Sequence, residues 1–233
     1  LYEEGHLRQT YARSRGPADR ISKYYPPEKH LRFDGLPGRL RYEAVKEHAH
    51  DPEAKDAYKR AWGLAGVTVM STGGGGSSLE GYDFHKYKME TLSDVLIPVV
   101  CAEDVRRAKA EGRHGIIWNT QDPKPFFKTG DLDQDLDHLD LFHRLGLREV
   151  QLTYNLNNLV GAGCTERYDF GLTRFGLKVL ERLNELRVLV NVSHCGRQTT
   201  LDACEASKVP VVANHASCEE VYSHPRAKSD EEI

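Results

Sequence analysis

The sequence predicts an α/β protein in which strands and helices alternate along the chain. Apolar, β-branched runs recur at Leu64–Met70, Gly115–Thr120 and Val188–Val192, and such runs are typical of buried parallel strands. Between them lie segments of helical length, and in Leu172–Leu186 the apolar residues recur at three- and four-residue steps. The alternation repeats about six times, which favours a parallel α/β architecture over an α+β one.

We interpret this repeat as part of a (β/α)8 barrel, the TIM-type fold. A closed barrel needs two units more than the six seen here, so we expect a barrel truncated at its C-terminus, with the missing units after Ile233. Ser229 and Glu232 have the spacing of a capping box, which predicts the start of a further helix. Residues 1–30 are expected to form an N-terminal extension, and residues 31–233 the partial barrel. A doubly wound open sheet, which six units could complete, is the alternative.

The other elements follow from the same periodicities and from helix start and stop signals. Asp51-Pro52 should interrupt the helical stretch Arg41–Trp62, because proline is favoured at the first position of a new helix. The remaining predicted helices are Glu80–Leu92, Ala102–Glu111, Asp131–Leu145 and Gln198–Ser207, and the remaining predicted strands are Leu31–Leu36, Leu96–Val100, Glu149–Asn155 and Val209–Ala213.

Composition excludes several classes of partner. The 233 residues carry 32 basic and 35 acidic side chains, a net charge of −3 without a basic cluster, so no nucleic-acid partner is expected. The mean hydropathy of −0.59 and the lack of a long apolar run predict no membrane span, and the polar start predicts no signal peptide. The five cysteines include no CxxC pair, which favours a reducing, cytoplasmic setting over a disulfide framework.

Two motifs suggest chemistry that their details do not support. The glycine run 73–76 lacks the GKS/T ending of a phosphate-binding loop, so we interpret it as a flexible loop at the functional rim. Asp131, Asp133 and Asp135 resemble a calcium loop, but no central glycine or closing glutamate follows. A solvated helix face with acids in its first turn explains these three residues better.

Two histidines form the strongest candidate site. His194 and His215 each end an apolar run, Val188–Val192 and Val209–Ala213 respectively. In a parallel β/α barrel the carboxyl ends of the strands carry the functional residues, and two imidazoles side by side are suitable ligands for zinc or a similar metal. The competing interpretation is a pair of capping or core histidines. Cys195 could be a nucleophile, although a small buried filler is the favoured interpretation.

Three stretches carry a resemblance to a known family: LGLREVQLTYNLNNLVGAG, GLTRFGLKVLERLNELRVLVNVSHCG and VPVVANHASCEEVYSHPRAKSDEEI. They resemble the membrane (renal-type) dipeptidase family, peptidase M19 of the amidohydrolase superfamily. The resemblance runs from about Leu96 to the last residue and is weak over residues 1–95. It implies a (β/α)8 barrel of the metal-dependent hydrolase kind with a two-zinc site that hydrolyses dipeptides.

The resemblance also implies roles for individual residues. It makes His194 and His215 metal ligands, and it makes Arg226 a substrate-binding residue. Tyr154 falls on the family's substrate-facing histidine, which implies a catalytic and substrate-binding role, and Gln121 falls on its bridging glutamate, which implies a catalytic position.

Other ligand positions of the family are changed in this chain. Its first-strand DGHxD motif falls on Asp34-Gly35-Leu36-Pro37-Gly38, where Leu36 and Gly38 replace the histidine and aspartate ligands. A leucine and a glycine offer no ligand atom, and a neutral Gln121 lacks the charge that bridges two dications. The family's late aspartate would lie beyond Ile233. The resemblance therefore implies one zinc ion or none rather than two.

Three functions remain as hypotheses. The first is a dipeptidase-like metallohydrolase that cleaves small amide or dipeptide substrates through a metal-activated water, with zinc as cofactor. The second is a binding or scaffold protein that keeps the barrel and Arg226 for a small anion. The third is metal-independent acid/base chemistry at His194 or Asp122. The expected partner is a small dipeptide or amide, and a homodimer is a further candidate assembly.

Overall fold

The computed structural model describes residues 39–72, 78–127, 129 and 131–233. Several sequence-based predictions lie outside these residues: the N-terminal extension 1–30, the short strand Leu31–Leu36, the first-strand motif with Leu36 and Gly38, and the glycine run 73–76.

Strands and helices alternate along the described chain. The strands are β1 (Val69–Thr72), β2 (Leu96–Pro98), β3 (His114–Thr120), β4 (Leu147–Gln151) and β5 (Leu189–Asn191). The helices are α1 (Arg39–His50), α2 (Pro52–Ala65), α3 (Leu79–Thr91), α4 (Ala102–Ala110), α5 (Leu132–Leu145), α6 (Arg174–Glu185) and α7 (Arg197–Ala206), with a 3-10 turn at Lys124–Phe126.

The strands form one parallel sheet in which β1, β3, β4 and β5 lie side by side in chain order. β1 pairs with β3, β3 with β4 and β4 with β5, while the short β2 pairs with the first half of β3. Val212 extends the sheet beyond β5 through a single parallel bridge to Asn191. A doubly wound sheet reverses its strand order at a switch point, and β1, β3, β4 and β5 show no such reversal; the short β2 alone is out of chain order, because it pairs with β3 on the side away from β1. The fold is therefore of the TIM-barrel type.

Aromatic packing identifies the face of the sheet that the helices cover. The Trp118 ring on β3 contacts Tyr82 and His85 of α3 and Phe142 of α5. Side chains alternate across a strand, so the next residue, Asn119, points to the opposite face. Its partner in register on β4 is Glu149. The face away from the helices therefore carries polar side chains.

The helix predictions are confirmed to within a few residues. Asp51 separates α1 from α2, and its carboxylate accepts hydrogen bonds from the backbone N–H groups of Glu53 and Ala54. Helix α6 buries Val179 and Leu183 in the main core, and Phe175 and Leu186 pack against it as the periodicity predicts. The short strand predicted within Leu96–Val100 is present as β2.

Two strand predictions were wrong in their extent. Leu64 and Ala65 belong to α2, because Gly66 takes a left-handed conformation with φ of 66° and ends that helix. Strand β1 accordingly begins only at Val69. In the predicted strand Val209–Ala213, Val212 alone joins the sheet, through backbone hydrogen bonds with Val190 and Val192.

Two further predictions need correction. The predicted strand Glu149–Asn155 ends at Gln151, and the following residues leave the sheet toward the candidate site. Asp135 does not lie on a solvated helix face: it is fully buried, and its carboxylate accepts from the backbone N–H and the hydroxyl of Thr129. Asp131 caps α5, as expected for an acid at a helix start. In the ranges that the structure describes, no helix is long and apolar enough to cross a membrane.

The buried His85 makes stability depend on pH. Its ring stacks on Trp118, and burial, together with the nearby Lys88 charge, lowers the pKa of His85 from 6.5 to about 4. The unfolded chain therefore binds a proton at this ring between these pH values while the folded chain does not, so stability falls as pH falls from about 6.5 to 4. The slope cannot exceed about 1.4 kcal/mol per pH unit for one proton.

We expect His85→Phe to flatten this pH dependence, because phenylalanine keeps an aromatic ring and binds no proton. Urea unfolding at a series of pH values measures the free energy directly. His50→Gln is the matched control, since His50 is exposed on α1, and its curve should follow that of the wild type. Equal slopes for His85→Phe and the wild type would contradict the assignment.

Candidate active site at the carboxyl ends of the strands

The structure brings four of the predicted site residues together where the strands end. Gln121 directly follows β3, Tyr154 follows β4, His194 follows β5, and His215 follows the bridge at Val212. The ring centroids of His194 and His215 lie 4.9 Å apart. The Tyr154 ring stacks on His194 at 4.1 Å, and the Gln121 side-chain nitrogen lies 3.3 Å from His215 Nε2. The side chains that follow neighbouring strands therefore lie close together, as expected for the carboxyl edge of a parallel sheet.

Both imidazoles are oriented by side-chain amides. His194 Nδ1 lies 2.7 Å from Asn155 Oδ1, and His215 Nδ1 lies 2.5 Å from Asn214 Oδ1. An amide oxygen can only accept a hydrogen bond, so each ring carries its proton on Nδ1. The Nε2 atom of each ring is then left with a lone pair. This arrangement is the one that metal-binding histidines use, with the other ring nitrogen fixed by a neighbour.

Arg226 lies beside the histidines, as the resemblance implies. Its Nη2 donates to the backbone carbonyl of His215 at 2.7 Å. Its Nε is buried and has no hydrogen-bond acceptor among the described residues. An unpaired buried guanidinium donor is costly, and a bound anion would relieve that cost.

The electrostatics keep both rings neutral. Burial, followed by the charges of Arg226, His215 and Lys228, lowers the pKa of His194 to about 3. Burial and the Arg226 charge also lower the pKa of His215, although Glu149 opposes the shift. His194 is therefore a neutral imidazole at pH 7 and a poor proton donor, which disfavours metal-independent acid catalysis at this residue.

A tight loop holds Asn155 in position. Its backbone carbonyl accepts from the N–H and the hydroxyl of Thr165, at 3.0 and 2.8 Å. Gly163 passes so close that a Cβ there would collide with the Asn155 carbonyl. The glycine thus permits the approach that places Asn155 against His194. No sequence motif assigned this role to Asn155, although its place next to Tyr154 was a usable signal.

A buried carboxylate that no sequence motif assigned to the site lies beneath the histidines. Glu149 on β4 is 2% exposed and accepts hydrogen bonds from Ser71, Asn191 and Asn214. Asn119 joins the group by donating to the Ser71 hydroxyl at 2.6 Å. The signal available in the sequence was an acid within an otherwise strand-like run, EVQLTYN. An acid on a buried parallel strand needs partners.

The donor set bears on metal binding. In the parts of the chain that the structure describes, no group of three His, Cys, Asp or Glu residues could hold a metal ion. His194 and His215 supply two nitrogen donors, and Gln121 supplies a neutral amide beside them. This set fits one borderline cation completed by neutral ligands such as water. It does not fit two adjacent dications, which need a bridging charge.

Two other candidates have structural explanations. Cys195 is 1% exposed, and burial raises the pKa of its thiol to about 11, so it is a buried filler rather than a nucleophile. Asp122 accepts from the backbone N–H of Lys124 at 3.0 Å and thus shapes the loop after β3.

The parallel sheet and the polar side chains that follow its strands define a β/α-barrel-type protein whose candidate site lies at the carboxyl ends of the strands. The family model for membrane dipeptidase (peptidase family M19) matches residues 70–233. The chain belongs to that family.

Individual relatives agree with this assignment. Dipeptidase verJ of Clonostachys rogersoniana is 34% identical over 91 residues, which cover 38% of this chain and 24% of that protein. An amidohydrolase structure from Pseudomonas aeruginosa is 32% identical with a TM-score of 0.61, covering 70% of this chain and 49% of that one. The probable dipeptidase PvdM from the same species is 25% identical with a TM-score of 0.59, covering 66% and 39% respectively. The chain thus spans half or less of the length of these relatives.

The close approach at Gly163 can be tested by adding one methyl group. We expect Gly163→Ala to destabilise the protein by about 1–3 kcal/mol, because the clash is with backbone and cannot relax cheaply. Gly63→Ala is the matched control. A Cβ at Gly63 meets no atom within 4 Å, and alanine is the better helix former, so this variant should gain up to about 1 kcal/mol. Urea unfolding measures both, and equal stabilities would contradict the described geometry.

Proposed function

We propose that the protein is a hydrolase that cleaves the amide bond of dipeptides or similar small amides. The observation that carries the proposal is the grouping of His194 and His215 at the strand ends with Arg226 beside them, in a chain of the membrane dipeptidase family. The relatives named above include dipeptidases, which supports this substrate class.

One divalent ion, with zinc the expected choice, would be held by the Nε2 atoms of His194 and His215 and by Gln121 or water. When bound, such an ion lowers the pKa of a water ligand toward neutrality and polarises the amide carbonyl. Asn155 and Asn214 keep the two Nε2 atoms unprotonated and ready for this role.

Arg226 binds the carboxylate of the substrate in this proposal. Its Nη2 is engaged with the His215 carbonyl, which fixes the guanidinium close to the two rings. Its buried Nε is without an acceptor among the described residues, and a substrate carboxylate supplies one. Guanidinium groups favour carboxylates because their parallel N–H donors match the two oxygens.

Tyr154 and Gln121 act on the reacting amide. The Tyr154 ring lies flat on His194, and the residue is 43% exposed, so its hydroxyl can donate to the carbonyl oxygen as negative charge develops there. Gln121 places a neutral amide beside His215 Nε2, and in this proposal the amide would orient the attacking water.

A second candidate function is a binding protein for a small anion. The observation that favours it is the neutral Gln121 beside His215, where a two-ion hydrolase needs a carboxylate. Arg226 would serve this function equally well.

We further propose a cytoplasmic setting, which five cysteines without a disulfide support.

Metal content and hydrolysis, measured on one sample of the full-length protein, separate the two functions. We expect about one zinc ion per chain and dipeptide hydrolysis that a chelator abolishes. His194→Ala should lose both the ion and the activity, because it removes one of two nitrogen ligands. His50→Gln, a change at an exposed helix residue, should keep both. Metal-free protein that binds dipeptides without cleaving them would favour the binding protein.

Carboxylate recognition is tested at Arg226. We expect Arg226→Met to raise KM at least tenfold, or ~1.4 kcal/mol, for a dipeptide with a free carboxylate. The same dipeptide with an amidated C-terminus should be cleaved equally by the variant and the wild type, because no charge pair is lost. Arg197→Met is the control, since Arg197 pairs with Glu231 on the surface. An equal effect on both substrates would contradict this role.

A further inference from the structure

The buried carboxylate of Glu149 makes contacts that the proposed chemistry does not explain. One oxygen accepts from the side-chain amides of Asn191 at 2.6 Å and Asn214 at 2.7 Å. The other accepts from the Ser71 hydroxyl at 2.7 Å. All three partners are neutral donors, so both oxygens act as acceptors. Among the described residues, no Lys or Arg side chain pairs with this carboxylate.

The carboxylate fixes the direction of the Asn214 amide. An amide has a donating nitrogen and an accepting oxygen, and only the nitrogen can face a carboxylate. With its nitrogen turned to Glu149, Asn214 must present its oxygen on the other side. That oxygen accepts from Asn191 Nδ2 at 2.8 Å and from the Ser193 hydroxyl at 3.3 Å.

The same oxygen faces His215. Asn214 Oδ1 lies 2.5 Å from His215 Nδ1, and an acceptor at that distance requires the proton to be on Nδ1. The Ser193 hydroxyl also accepts from the backbone N–H of His215 at 3.2 Å. These contacts form a single directional chain from Glu149 in the barrel interior to the imidazole at its rim.

We propose that Glu149 is a positioning residue that sets the tautomer of His215 through Asn214. The carboxylate dictates the amide orientation, and the amide dictates which ring nitrogen carries the proton. His215 then presents an unprotonated Nε2 toward the side-chain amide of Gln121. A neutral imidazole in water prefers the opposite tautomer, with the proton on Nε2, so the protein must impose this one.

The tautomer is a property of the protein alone, whereas its use in hydrolysis rests on the proposed function. The test therefore measures the tautomer directly. Long-range proton–nitrogen NMR spectra of isotope-labelled, metal-free protein distinguish protonated from unprotonated ring nitrogens. The spectrum of His215→Gln identifies the signals of the His215 ring. Absence of hydrolysis would defeat the proposed function and leave this measurement unaffected.

We expect the wild type to hold His215 mostly in the Nδ1–H form and Glu149→Met to shift it mostly to the Nε2–H form. Methionine matches the length of glutamate and removes the acceptor. Asn214→Ala should give the same shift. Asn214 is exposed, so this variant keeps the test valid if Glu149→Met fails to fold.

Ser71→Ala is the matched control, because Ser71 contacts the carboxylate oxygen that does not lead to Asn214. It should keep the Nδ1–H form. An unchanged tautomer in folded Glu149→Met or in Asn214→Ala would overturn the proposal. An equal shift in Ser71→Ala would also overturn it, since general disturbance of the interior would then explain the result.

Discussion

A carboxylate can only accept hydrogen bonds, and this constraint at Glu149 organises the polar interior of the sheet. Its two oxygens attract donors from three neighbouring segments: Ser71 on β1, Asn191 on β5, and Asn214 beyond it. These hydrogen bonds join β4 to β1, to β5 and to the segment that carries His215. The positions of the two histidines therefore depend on the buried polar group around Glu149.

The sequence predicted the elements whose signals are local. Asp51-Pro52 marked a helix boundary correctly, and the histidines at two strand ends were placed together because parallel strands share one edge. Val209–Ala213 was predicted as a full strand because its residues suit one, yet Val212 alone joins the sheet. Strand pairing depends on a neighbouring strand that is distant in the sequence, and the composition of a segment does not show whether that neighbour is available.

The contacts of the asparagine amides with the two histidines could not be predicted from the sequence, for a related reason. Asparagine has two ends of opposite polarity, and which end faces a histidine depends on every partner that the amide has. Asn155 and Asn214 therefore could not be assigned as orienting groups from the motifs alone. Glu149 was visible as an acid in a strand-like run, but its meaning required the positions of Asn191 and Asn214.

The segment after His215 is a loop whose ends meet. Backbone hydrogen bonds join Lys228 to Ser217 and to Glu219, and the buried Lys228 ammonium is held by the Cys195 carbonyl and the Thr200 hydroxyl. Arg226 lies just inside that closure, while the tip around Tyr222 is exposed. The guanidinium is thus fixed by the base of the loop rather than by its tip. Residues can accordingly be inserted near Tyr222 to change the length and shape of the loop tip without moving Arg226.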